Sequence, residues 1–174
     1  MKSFERAVRR AYEVYNNRDH YCYLYGAKGI ELTRANFEYF KSAYPSYFAQ
    51  YTAEQLEQYF QDNEGKIALD CSGFVNYCFD WLPKRYSKAY YDHKQMEYES
   101  WMQSEGGALL FTTRNGLGRH IGIDVGSGYF IDAASEMQGI RMLKFADFPN
   151  YWEHCFRAED TDYEGASARM IYTK

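Results

Sequence analysis

Long apolar runs are missing from this chain of 174 residues. No stretch is long enough to cross a bilayer as a helix, so no membrane partner is expected. The opening residues, Met1-Lys2-Ser3-Phe4-Glu5-Arg6, carry no signal-peptide apolar core, which predicts a protein made in the cytoplasm. A surplus of positive charge is missing too: 20 Lys and Arg stand against 24 Asp and Glu, a formal net charge of −4. That balance offers no basic field to nucleic acid, and no nucleic-acid partner is expected. Cysteine is scarce, with four residues and no framework spacing, which points to reduced thiols rather than a disulfide-stapled domain. Neither a CxxC pair nor a Cys/His ligand cluster occurs, so no metal site and no cofactor are expected. Repeats, low-complexity tracts and linkers are absent as well, and the length suits one domain over residues 1–174.

What the chain has in excess is tyrosine, 19 residues of it. Many fall between Tyr12 and Tyr59 or between Tyr86 and Tyr98. Such side chains finish a core with wet-edged aromatics, or line a cleft that stacks on sugar faces. The apolar spacing predicts helices first. Phe4, Ala7, Val8, Ala11, Tyr12 and Tyr15 make one face of a helix over 3–16. Residues 21–29 read as a loop. Thr33 caps a second helix stopped by Pro45, and Thr52-Ala53-Glu54-Gln55 has capping-box spacing for a third that ends near Gly65. A fourth runs from Cys71 to about Leu82, where Pro83 stops it, and a fifth is expected around 87–103. Strands follow over 108–113, 121–125, 129–134, 140–143 and 170–173. Helices followed by antiparallel strands predict an α+β domain.

Asp70-Cys71-Ser72-Gly73-Phe74-Val75 carries the chemistry. Asp70 suits the N-cap, which makes Cys71 the first helical residue ahead of the stripe Phe74, Val75, Cys78, Phe79 and Leu82. Free N–H groups and the positive end of the helix dipole stabilise a thiolate there. Downstream, Arg119-His120-Ile121-Gly122-Ile123-Asp124-Val125-Gly126 is an alternating strand that opens on a histidine. A cysteine opening a helix and a histidine on a strand are the nucleophile and base of papain-like hydrolases. Gly126-Ser127-Gly128 predicts a hairpin. Pairing Val125 with Tyr129 sets Gly122 opposite Asp132, so that His120 and Asp132 share a face as diagonal neighbours. Asp132 is then the residue that orients the imidazole and favours its protonated form. Asp124 shares the face but lies two pleats away. Cys22 and Cys78 read as small buried hydrophobes. Cys155 has His154 beside it in sequence, but neighbours on a strand point to opposite faces. His20 and His93 read as surface or satisfied histidines.

These residues resemble the NlpC-type cell-wall cysteine peptidases, which cleave the peptide stems of bacterial peptidoglycan. Tyr23-Leu24-Tyr25-Gly26-Ala27 resembles the aromatic-Gly-Gly stretch upstream of that family's nucleophile, and Gly107-Ala108-Leu109-Leu110-Phe111 resembles the strand leading to its histidine. The resemblance implies a papain-like fold with the nucleophile helix packed on a central antiparallel sheet. It also implies a Cys71-His120-Asp132 triad and a peptidoglycan stem peptide as substrate, cut as a γ-D-glutamyl-diamino acid endopeptidase. The matching positions Tyr23, Asp70 and Ser72 are implied to recognise the free amine of the stem's first L-alanine, and Asp70 doubles as the helix cap. A carboxylate at Asp132 departs from the family's commoner His, Asn or Gln. Residues 30–69 depart as well, as a helical insertion similar to one in the phage and prophage lysin branch. That branch implies action at the wall after release from the cytoplasm. The insertion either adds core or forms one side of the cleft. The same machinery one bond earlier would make an N-acetylmuramoyl-L-alanine amidase, and the same scaffold serves deamidases and acyltransferases acting on protein or lipid.

Overall fold

The computed structural model describes residues 3–80, 96–97, 107–114 and 117–157. Helix α1 (Ser3–Asn16) turns Ala7, Ala11 and Val14 inward, at 3.6-residue spacing, against the nucleophile helix. The stretch expected as a loop instead carries two short strands, β1 (Tyr21–Tyr23) and β2 (Lys28–Glu31). Both pair with β3 (Ile67–Leu69), β1 in parallel and β2 antiparallel, in a small three-stranded sheet. Strands of three or four residues are too short to show an alternation in sequence, so tertiary pairing decides them.

Between β2 and β3 lie α2 (Arg34–Ala43), α3 (Pro45–Phe48) and α4 (Ala53–Asn63). Thr33 caps α2 by accepting the Asn36 N–H at 3.2 Å. Thr52 and Gln55 form the reciprocal capping box that opens α4. As its sequence predicts, α2 ends just before Pro45, with Tyr44 as its C-cap; Pro45 itself opens α3, where its missing N–H costs no hydrogen bond. Phe37, Phe48, Leu56 and Phe60 from these helices bury themselves against Leu24, Leu32 and Ala68.

Helix α5 (Cys71–Phe79) ends sooner than its sequence predicts. Asp80 adopts the left-handed conformation (φ 61°) that terminates it; Leu82 and Pro83 lie outside the described residues. Of the helix expected over 87–103, only β4 (Met96–Glu97) is described, and it is a strand that pairs antiparallel with residues 154–155. Backbone pairing overrides the helical spacing there. The strand expected over 170–173 also lies outside the described residues.

The larger sheet has the order β4-β9-β5-β6-β7-β8 and is antiparallel throughout. Its members are β5 (Ala108–Arg114), β6 (Leu117–Gly126), β7 (Tyr129–Ala133), β8 (Ile140–Lys144) and β9 (His154–Arg157). Alternation along β5 sends Leu109 and Phe111 towards α1 and α5, and Ala108 and Leu110 to the opposite face. There they meet Phe130, Phe145, Trp152 and Cys155. The sheet is therefore buried on both faces, with helices on one and the chain between β8 and β9 on the other.

The hairpin register is Ile123 opposite Ile131 and Asp124 opposite Phe130, the one set by the Gly126-Ser127-Gly128 turn. The tip differs from expectation. Gly126, Ser127 and Gly128 all have positive φ, and a bulge places Gly126 rather than Val125 opposite Tyr129. Asp124 stabilises the bulge by accepting the Gly126 N–H at 2.8 Å.

Candidate active site

Asp70 accepts the Gly73 N–H at 2.6 Å and so fixes the start of α5. Its own N–H donates to the Ala27 carbonyl at 2.8 Å. Gly73 has no side chain because a Cβ would run into that same carbonyl. The helix start is thus pressed against the β1–β2 connection, and Cys71 emerges at its first position.

Sequence reasoning missed the partner that completes this corner. Lys28, on β2, donates to Asp70 at 2.5 Å and to the Ser72 hydroxyl at 2.8 Å. The Gly26 N–H also donates to Asp70, at 3.1 Å. Asp70 and Ser72 are buried in this network and do not line the cleft described below. Nothing local in the sequence marks Lys28, because the contact depends on how β2 docks on α5.

His120 lies on β6 and lines the same cleft as Cys71, whose side chain acts on the imidazole. Its Nε2 stands 2.8 Å from Asp132 Oδ2, as two residues on one face of the hairpin can. Asp132 is fully buried, and Arg141 holds it from the other side. The guanidinium donates from Nε to Oδ1 at 2.9 Å and from Nη2 to Oδ2 at 2.7 Å. Asp132 and Arg141 are direct partners in the β7–β8 ladder. That signal was available: pairing 129–133 with 140–144 puts the two opposite each other.

The electrostatics follow from these contacts. Burial alone would lower the His120 pKa, but hydrogen bonds to Asp132 and Cys71 outweigh it and hold the pKa well above the usual imidazole value. Burial would raise the pKa of Asp132, yet hydrogen bonds from His120 and Arg141 keep it below the ordinary carboxylate range. Asp124 instead spends its carboxylate on the hairpin bulge. Of the other cysteines, burial pushes Cys22 up to about 11, Cys155 up to about 12 and Cys78 well above the usual thiol value. All three are buried in the core.

Cys71 and His120 open onto a cleft of about 680 Å³. One wall is tyrosine: Tyr23 and Tyr25 from the β1–β2 region, and Tyr47 and Tyr51 from the helical segment between β2 and β3. Tyr25 and Tyr47 stack with ring centroids 3.9 Å apart. Residues 30–69 therefore supply one side of the cleft as well as core. Glu136, in the β7–β8 turn, joins the walls. It accepts from the hydroxyls of Tyr47 at 2.7 Å and Tyr51 at 3.0 Å, and from the Tyr25 N–H at 3.1 Å. Burial raises its pKa, against those hydrogen bonds. Arg119, Tyr151 and Glu153 line the opposite side. No group of three or more His, Cys, Asp or Glu able to hold a metal ion occurs among the described residues. No helix among them is long and apolar enough to cross a membrane.

The sequence model described as the NlpC/P60 family matches residues 50–158, a span that includes Cys71, His120 and Asp132. No curated protein matches. Among solved structures, NlpC1 from Trichomonas vaginalis superposes with a TM-score of 0.54 at 16% identity, covering 90% of this chain and 44% of that one. NlpC2 from the same organism gives 0.52 at 16% identity, covering 90% and 47%. The chain thus spans less than half the length of either Trichomonas protein. The P60 domain of an M. avium subspecies paratuberculosis antigen gives 0.50 at 15% identity, covering 89% of this chain and 93% of that one. At these identities the likeness is one of fold: a nucleophile helix on an antiparallel sheet, as in papain-like domains.

Proposed function

The chain belongs to the NlpC/P60 family of cysteine peptidases, and from that premise we propose that it is a peptidoglycan hydrolase that cuts an amide bond of the stem peptide. The observation that carries this reading is a line of facing groups: Cys71 beside His120, His120 hydrogen-bonded to Asp132, and Asp132 to Arg141. Its Cys71–His120 end opens onto the cleft of about 680 Å³.

In this reading Cys71 Sγ attacks the carbonyl carbon, and its proton resides on His120. The raised imidazole pKa favours that location of the proton. The C–N bond breaks as His120 delivers the proton to the leaving amine, and a thioester remains on Cys71. Water then attacks the thioester and gives its proton to His120, releasing the carboxylic acid and the thiol. Asp132 fixes the imidazole, and Arg141 keeps Asp132 ionised. The Cys71 N–H, at the first helical position and so without an acceptor inside the helix, is the oxyanion donor. Tyr23 serves on the substrate side of the cleft. Asp70 and Ser72 act through the helix start that they hold with Lys28.

We favour the γ-D-glutamyl-diamino acid bond over the muramoyl-L-alanine bond. Digestion of purified muropeptides beside a Cys71→Ala control tests this by product mass. Free L-Ala-D-Glu dipeptide, or its muramoyl conjugate, identifies the endopeptidase. Intact stem peptides separated from sugar identify the amidase. Equal turnover by Cys71→Ala would overturn the reading altogether.

A further inference from the structure

Trp152 is fully buried beneath His120. Its indole lies nearly parallel to the imidazole, with ring centroids 5.4 Å apart and planes inclined by 11°. Gly122, two residues along β6 from His120, makes the room: a Cβ there would stand 2.8 Å from Trp152 Cη2 and 2.9 Å from Cζ2. The placement has a cost, because Trp152 Nε1 is the buried side-chain polar atom left without a hydrogen-bond partner among the described residues. A phenylalanine would fill much of the same space and bury no N–H. Core packing alone therefore gives no reason for an indole at this position. The flat, electron-rich face against His120 does, since tryptophan is the aromatic that best stabilises a cation over its ring.

We propose that Trp152 is a positioning residue for His120: its face fixes the plane of the imidazole and favours the protonated ring. This rests on the hydrolase reading above, in which His120 carries the proton between Cys71 and the leaving amine. The hydrogen bond to Asp132 defines one axis of the imidazole but leaves it free to swing about that axis. A parallel ring removes that freedom. Other groups facing His120 are Cys71 from α5, Asp132 from β7 with Arg141 of β8 behind it, and Tyr151, edge-on at 6.3 Å. Arg119 and Glu153 stand at the rim of the same cleft. Replacing Trp152 removes none of these groups, though Tyr151 loses the ring it packs against.

The test has two parts. In a Cys71→Ala background, NMR titration of the His120 ring compares Trp152 with Trp152→Phe and Trp152→Leu. The His120 titration point should fall by about one pH unit, a tenfold loss of proton affinity, in Trp152→Leu and by less in Trp152→Phe. With Cys71 present, the alkaline limb of kcat/KM for muropeptide cleavage should move to lower pH in the same order. In Trp152→Phe the lost unpartnered N–H offsets part of the cost of the smaller ring, so the variant should remain folded. An unmoved titration point and an unmoved limb in folded Trp152→Phe and Trp152→Leu would overturn the proposal and leave Trp152 as core. Absence of muropeptide cleavage would overturn the hydrolase reading instead, while the NMR titration would still decide the role of Trp152.

Discussion

Arg141 and Asp132 face each other across the β7–β8 ladder and share two hydrogen bonds, 2.9 and 2.7 Å long. The carboxylate is fully buried, and among the described residues Arg141 and His120 sustain its charge. Arg141→Met should cost about 3 kcal/mol, the low end for breaking a buried pair, because His120 still faces the carboxylate. Arg141→Lys should restore part of the stability and less of the activity, since an ammonium cannot make the paired contact. Urea unfolding with muropeptide turnover on the same samples checks both.

Asp132 and Asp124 sit on the same hairpin with different tasks. Asp132→Ala removes the partner of both His120 and Arg141; besides a loss of stability like that of Arg141→Met, it should lower kcat/KM per folded molecule by about a hundredfold or more. Asp124→Ala loosens the bulge at Gly126 and should act on stability, with activity per folded molecule within a few-fold of the natural chain. Equal losses of activity would contradict this division.

The sequence was most legible where geometry is local. The caps at Thr33, Thr52 and Asp70 were readable because each depends on residues three positions away. The face shared by His120 and Asp132 was readable because a two-stranded register follows from its turn, even though the bulge at Gly126 moved the tip. Contacts made by docking were not readable. Lys28 reaches Asp70 only once β2 packs on α5, and Trp152 reaches His120 only because the chain between β8 and β9 folds back under the sheet. Strands β1 to β3 are too short to carry a period, and α5 stops at a left-handed Asp80 that sequence spacing does not reveal.

The pH dependence of stability has a sign fixed by two groups. The pKa of His120 is raised on folding, so its contribution is complete below the unfolded value of about 6.5 and is lost as pH rises through the folded value. The pKa of Asp132 is lowered, so its contribution is present above about 3.9 and is lost as pH falls through the folded value. Urea midpoints should therefore be highest between these limits. His120→Gln should remove most of the decline on the alkaline side above about pH 6.5. An unchanged alkaline slope would assign the decline to other groups.

Glu136 ties the tyrosine wall to the β7–β8 turn, away from the reacting atoms. Glu136→Ala frees the hydroxyls of Tyr47 and Tyr51 and should raise KM by about tenfold while kcat changes little. Glu136→Gln keeps one acceptor oxygen and should recover most of the affinity. A fall in kcat with unchanged KM would place Glu136 in the chemistry rather than in the cleft wall.

The most direct measurement is acid-quenched turnover of a muropeptide followed by peptide mapping of the protein by mass. The expected result is an acyl group in thioester linkage on Cys71, with Cys22, Cys78 and Cys155 unmodified and no adduct formed by His120→Ala. Undiminished cleavage by Cys71→Ala with no acyl group on any cysteine would contradict the thiolate mechanism and the active site assigned to it.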